Sequence, residues 1–159
     1  MSIILDGTNG ITSVSGSASL AVAGPAFSAY LNSAQTVTSS VYTKVTINAK
    51  EFDTNTNFDA TTNYRFQPTV AGYYQINGCV GVGTAVTQLN VGIFKNGAVY
   101  KQTALVSSFS SLLLNVSSIV YFNGSADYVE LYVYAVGTTP VLGTSPNQTY
   151  FNGALIRSS

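Results

Sequence analysis

The chain has 159 residues, of which 46% are hydrophobic, 12% aromatic and only 8% charged, with six basic residues cancelling six acidic ones. That length and apolar content give one ordinary domain with a core and exclude a disordered chain. No stretch gathers the Lys and Arg that a phosphate-binding surface needs, and no apolar run reaches the roughly 18 residues of a membrane span, so nucleic acid and membrane insertion are excluded as partners.

A typical soluble domain is about one-quarter charged. A chain this poor in charge either solvates its surface with Ser, Thr and Asn, which abound here, or buries much of it against other subunits. Residues 1–24 are rich in Ser, Ala and Gly with scattered aliphatics, and Gly24-Pro25 punctuates their end. The N-terminus lacks the basic start and continuous apolar core of a secretory signal. The lone Cys79 permits no internal disulfide, which fits synthesis in a reducing cytoplasm.

From Ala26 onward the pattern is that of strands, with apolar residues alternating between recurrent turn signals. Val41, Thr43, Val45 and Ile47 alternate with mostly polar neighbours. In Tyr73 to Val82, one face carries Tyr74, Ile76, Gly78, Val80 and Val82. Leu89, Val91 and Ile93 run into Lys95-Asn96-Gly97, where Asn-Gly predicts a two-residue hairpin. Val99 to Leu105 is the expected return strand. Leu112 to Phe122 is a long strand turned by Asn123-Gly124-Ser125-Ala126, Asp127 to Ala135 follows it, and Thr149 to Ile156 closes the chain. About ten antiparallel strands and no helix predict an all-β jelly-roll sandwich spanning 25–159, with residues 1–24 as a short irregular or β extension.

The strand after Asp127 carries Val129, Leu131, Val133 and Ala135 on one face and Tyr128, Glu130, Tyr132 and Tyr134 on the other. Sandwich strands usually solvate their second face. A tyrosine face suits a subunit interface, because the ring buries area while the hydroxyl finds a partner. The alternative is a half-exposed strand that uses Tyr for its β-propensity. On the interface reading, Glu130 pairs with a Lys or Arg across the contact.

The sequence is poor in reactive groups. It contains no histidine, which removes the usual general base and most transition-metal sites. Cys79 sits mid-strand, on the side of Asn77 and Gly81, as a small buried or interface residue. Glu51 and Asp53, with Asp59 nearby, are the only carboxylates close enough in sequence to suggest calcium, but the segment lacks EF-hand spacing and a turn glycine. The expected reading is a polar loop in which Asp and Asn bond their own backbone. Asp127 is expected to satisfy backbone amides at the start of its strand, and Lys95 and Lys101 to be solvated. No catalytic residue, metal or cofactor is expected, and the chain is read as a non-enzyme.

From Ala26 to Arg157 the chain resembles the globular-head domain of complement C1q, within the tumour-necrosis-factor-like (TNF-like) jelly rolls. The motifs that carry the resemblance come in order. They are "AFSAYL" at 26–31, "FDTNTNFDATTNYRFQPTVAGYYQI" at 52–76, "VGIFKNG" at 91–97, "IVYFNGSADYVELYV" at 119–133 and "YFNGALI" at 150–156. The resemblance implies a tight threefold homotrimer. The collagen stalk that usually precedes such heads is missing, since there is no Gly-X-Y repeat. Stalkless heads behind a "DGTNGIT"-like leader resemble appendage proteins of tailed bacterial viruses, at fibre tips or on capsid or tail surfaces.

The leader's Ile3, Ile4, Leu5, Ile11 and Val14 are too few to form a core. As short strands broken at Gly7 and Gly10, they suit addition to a sheet edge or winding about the threefold axis, which makes 1–24 an attachment segment. The resulting expectation is a virion protein made in the host cytoplasm. It trimerises with itself, docks on another virion protein through 1–24, and touches a host-surface glycan through the polar segments 53–63 and 137–148. The alternative is a soluble C1q-like ligand or lectin-like module of a cell.

Overall fold

The computed structural model describes residues 4–6, 10–12, 24–109 and 112–159. Within these residues every regular element is a strand. β1 (Ile4–Asp6) and β2 (Gly10–Thr12) form a hairpin of their own, with Leu5 opposite Ile11. Ile3 and Val14 lie outside the described residues.

The rest of the chain forms two antiparallel sheets. The narrow sheet contains β3 (Ala26–Tyr30), β5 (Ala49–Asp53), β8 (Gly72–Val82), β12 (Leu112–Phe122) and β14 (Tyr150–Ser158), in the order β12-β8-β14-β3-β5. The broad sheet contains β4 (Thr43–Lys44), β6 (Phe58–Asp59), β7 (Arg65–Phe66), β9 (Val86–Lys95), β10 (Ala98–Gln102), β11 (Val106–Phe109) and β13 (Val129–Val136). Its path is β10-β9-β13-β7-β6, with β11 also on β9 and β4 on β13. This is the expected all-β sandwich.

The alternation read from the sequence sets the faces. Tyr74, Ile76, Val80 and Val82 of β8 point into the sandwich, where they meet Leu89, Val91 and Ile93 of β9 and Val129, Leu131 and Val133 of β13, all buried. One end of the core is aromatic. Phe27 stacks on Phe66 with centroids 4.2 Å apart, and Tyr74 meets the edge of Phe122 at 5.1 Å. Such pairs add to the area they bury, because ring edge and ring face attract. The one hydroxyl in this cluster, on Tyr74, donates to the Val70 carbonyl at 2.8 Å, and burial pushes its pKa up to about 12.

Two turns are fixed by their residue types. Asn96 and Gly97 have φ of 52° and 80°, the pair of positive values that a type I′ hairpin demands. In the turn after β12, the Asn123 side-chain oxygen accepts from the backbone N–H groups of Ser125, Ala126 and Asp127. Gly124 there has φ +73°, and a Cβ on it would stand 2.6 Å from the backbone nitrogen of Ala71.

The structure corrects several boundaries. The expected strand over Val41 to Ile47 pairs only at Thr43–Lys44. Its alternation still holds at Val45 and Ile47, which are buried, but Ile47 N–H bonds back to the Val45 carbonyl and the chain leaves the ladder. The return strand after Asn96-Gly97 ends at Gln102 rather than Leu105, after a bulge between Val99 and Lys101. Among the described residues the head has twelve strands, β3 through β14, against about ten expected, and the short β6 is one that the alternation does not announce. β6 lies within the Asn- and Thr-rich stretch between Asp53 and Asn63, which reads as loop.

Candidate functional site

The outward face of the narrow sheet is the most unusual surface of the head. Antiparallel register places Tyr73 opposite Tyr121, Gln75 opposite Ile119, Asn77 opposite Ser117 and Cys79 opposite Asn115, so their side chains share one side. Ile119 is 53% exposed, Ile156 50% and Leu113 50%, with the exposed rings of Tyr73 and Tyr121 beside Ile119 and that of Phe52 on the far edge strand β5. Tyr73 and Tyr121 pair with centroids 5.3 Å apart.

A polar stripe crosses the middle of this face. Gln75 donates to Ser117 Oγ at 2.7 Å and to Asn77 Oδ1 at 3.0 Å, and Asn77 donates onward to Asn152 Oδ1 at 3.0 Å. None of the outward side chains of β8 and β12 is charged. Cys79 lies on this face with Tyr150, its register partner. It is buried, and burial pushes its thiol up, which suits a packing residue rather than a nucleophile.

The outward face of the broad sheet is built differently. Tyr128, Tyr132 and Tyr134 share it as expected, but each ring has a partner in its own chain. The Arg65 guanidinium stands 4.3 Å over the Tyr128 ring, Tyr132 stacks on Phe94 at 4.0 Å, and Tyr134 packs against Tyr42 at 5.4 Å. Glu130 is 4% exposed and its carboxylate meets Lys44 Nζ at 2.5 Å. The expectation that Glu130 pairs across a subunit contact is therefore corrected. β4 lies against β13 with Lys44 opposite Tyr132, and that register brings the cation beside Glu130. Burial, and then the charge of Glu130, pushes the Tyr132 hydroxyl up.

The candidate acids of the head have in-chain donors, Glu51 accepting from Ser28 Oγ at 2.6 Å. Asp53 accepts from the backbone N–H groups of Asn57 and Phe58, and pairs with Lys50 at 3.2 Å. Asp59 accepts from the N–H groups of Thr61, Thr62 and Asn63, which holds its carboxyl well below the usual carboxylate range. Asp127 accepts from Asn96, Lys95 and the N–H of Asn123, and the Asn96 hydrogen bond is the largest cause of its lowered pKa. Lys95 is thus engaged rather than freely solvated, and it also donates to the Tyr121 carbonyl at 2.7 Å. Among the described residues, no three His, Cys, Asp or Glu side chains converge as a metal site would require. The segment 137–148 is pinned rather than free, with Leu142 buried and its N–H donated to the Gln35 carbonyl.

The narrow-sheet face escaped the sequence reading because its polar stripe mimics ordinary alternation. The missed signal is the apolar residues in outward slots, Tyr73, Leu113, Ile119 and Tyr121, which become one surface only once the register is known.

No protein-family model and no curated protein matches this sequence. Solved structures do match the fold. Murine APRIL superposes with a TM-score of 0.67 at 10% identity, over 84% of this chain and 99% of that one. The globular domain of zebrafish complement 1qA gives 0.64 at 23% identity, over 86% and 99%. The Eiger TNF of S. frugiperda gives 0.59 at 8% identity, over 86% and 94%. The two antiparallel sheets, their strand order and these superpositions agree: the chain has the jelly-roll fold of the C1q and TNF globular heads.

Proposed function

We propose that the chain is a non-enzymatic structural head of a tailed-virus particle, that three copies assemble through the outward face of the narrow sheet, and that residues 1–24 attach the trimer. The uncovered apolar face carries the assembly reading. Tyr73, Ile119 and Ile156 line one water-facing depression, with Tyr121 paired to Tyr73 beside it, and Arg157 is the one cation lining that depression, while the outward side chains of β8 and β12 carry no charge. This replaces the tyrosine face of β13 as the proposed interface, since those rings are already half-covered by Arg65, Phe94 and Tyr42.

Attachment through 1–24 is supported by the "DGTNGIT" leader and by the pairing of its described residues as the lone hairpin β1–β2, which is too small to be stable without a partner. The absence of histidine and the capture of Asp53, Asp59 and Asp127 by in-chain donors support a role without catalysis. A second reading, a soluble C1q-like ligand or lectin-like module of a cell, is favoured by the animal origin of the solved structures named above.

The test is immunogold labelling of virus particles with antibody to the head, beside the native mass of the chain lacking residues 1–24. Discrete label on particles, and a truncated chain that stays trimeric but no longer attaches, is the expected result. Label confined to the soluble fraction would favour the cellular reading, and a truncated chain unable to trimerise would move the leader into the assembly.

A further inference from the structure

We propose that the broad sheet carries a saccharide-binding pocket built on Tyr42, Tyr134 and Gln102. It lies on the sheet opposite the assembly face and is independent of that reading. The site is a depression of about 420 Å³ lined by Tyr42, Asn90, Gln102, Thr103, Leu105 and Tyr134. Its residues come from four separate stretches: the turn before β4, strand β9, the end of β10 with the residues just after it, and strand β13.

The floor is aromatic. Tyr42 and Tyr134 are half-buried, with centroids 5.4 Å apart and planes inclined by 49°. Leu105, 50% exposed, forms an apolar wall. No charged side chain lines the pocket.

The polar groups are oriented by a chain of hydrogen bonds that begins inside the protein. Asn90 is 4% exposed, and its Nδ2 donates to the Thr103 carbonyl, so its Oδ1 must face the Tyr42 hydroxyl 2.7 Å away. Tyr42 therefore gives its single proton to Asn90. The structure also places Gln102 Oε1 2.7 Å from this hydroxyl, as a second acceptor. One hydroxyl proton cannot serve both oxygens, and a half-turn of the Gln102 amide about its last bond exchanges its oxygen and nitrogen, so that an N–H donates to the Tyr42 oxygen and all three groups are satisfied. In that orientation the Gln102 carbonyl and its second N–H are left for a ligand in the pocket that Gln102 lines.

A fixed acceptor and donor side by side, over an uncharged aromatic and aliphatic floor, match a pyranose ring. Its C–H face packs on the tyrosines while neighbouring hydroxyls meet the amide. An anionic ligand would find no counter-charge here, and a purely apolar one would strip water from Gln102 without replacing its bonds. The glycan contact expected from the polar loops is thereby assigned to a different part of the head.

Aromatic carbon–proton NMR on the full chain tests this, with methyl β-D-glucopyranoside, methyl β-D-galactopyranoside, methyl α-D-mannopyranoside and N-acetylglucosamine as probes. The expected result is that at least one sugar shifts the Tyr42 and Tyr134 ring signals saturably at millimolar concentration and leaves Tyr73 and Tyr121 unmoved. Tyr42→Ala then abolishes the response. Gln102→Ala, at an exposed position that does not threaten the fold, weakens it about tenfold, the factor that one good hydrogen bond supplies. No saturable shift with any of these sugars, or a response indifferent to Gln102→Ala, would overturn the proposal.

Discussion

The two outward faces of the sandwich both display aromatic side chains, and they differ in what covers those side chains. On the broad sheet, Tyr128, Tyr132 and Tyr134 are each backed by Arg65, Phe94 or Tyr42, and the buried charge of Glu130 is neutralised by Lys44. On the narrow sheet, Tyr73 and Tyr121 pair with each other beside an exposed Ile119, with only the Lys95 ammonium 6.0 Å over the Tyr121 ring, and both rings remain exposed. Residue type alone does not distinguish a finished surface from an unfinished one. The unfinished surface is the one whose apolar area still faces water, because burying that area is what association gains.

Breaking this contrast should have its largest effect at Ile119. Ile119→Asp places a carboxylate where the account puts a desolvated contact, and light scattering should show the assembly falling to monomers while circular dichroism shows the sheets intact. Tyr132→Glu, on the opposite face, should lower stability but leave the assembly mass unchanged.

The next effect is internal to the broad sheet. Lys44→Met leaves the Glu130 carboxylate buried without its cation, and urea unfolding should show a loss of about 3 kcal/mol, toward the low end for a broken buried pair because Lys44 is itself partly exposed. Glu130→Gln should cost less, since no charge remains to be solvated.

Smaller still is Tyr74→Phe, which strands the Val70 carbonyl and should cost about 1 kcal/mol in the same assay.

The smallest expected effect is the acid dependence contributed by Asp59. Its carboxyl is held low in the folded chain by the Thr61, Thr62 and Asn63 donors. A depressed folded value gives stabilisation that is complete above the unfolded value, near pH ~4, and drains away as pH falls through the folded value. Urea midpoints of Asp59→Asn should therefore decline less than wild type as pH falls from that point, while at neutral pH the variant is the less stable of the two.

Much of the fold was legible in the sequence because local chemistry and tertiary structure agree. The alternation in Tyr73–Val82 and Leu112–Phe122 became β8 and β12, and Asn96-Gly97 became the type I′ turn that its residues favour. Short strands were lost where a pairing partner, rather than propensity, makes the strand. β6 and β7 exist because Phe58 and Phe66 are pulled into the core, amid Asn and Thr that otherwise signal a loop. The surfaces were legible only in part. Tyrosines in alternate positions can be seen in one strand, whereas the Ile119 face is assembled from β8, β12 and β14, which are far apart in sequence and joined by register. The Tyr42 pocket likewise gathers four separate stretches of chain, and no spacing in the sequence announces it.

The most direct test of the central claim, that the narrow-sheet face joins three copies, is the native mass of the purified chain by light scattering at low and high salt. Each protomer weighs 16.7 kDa. A mass near three protomers at both ionic strengths is predicted, because burial of Tyr73, Ile119 and Ile156, rather than an ion pair, holds the contact, and salt does not screen apolar burial. A monomer at micromolar concentration, or a trimer that dissolves as salt rises, would contradict the account.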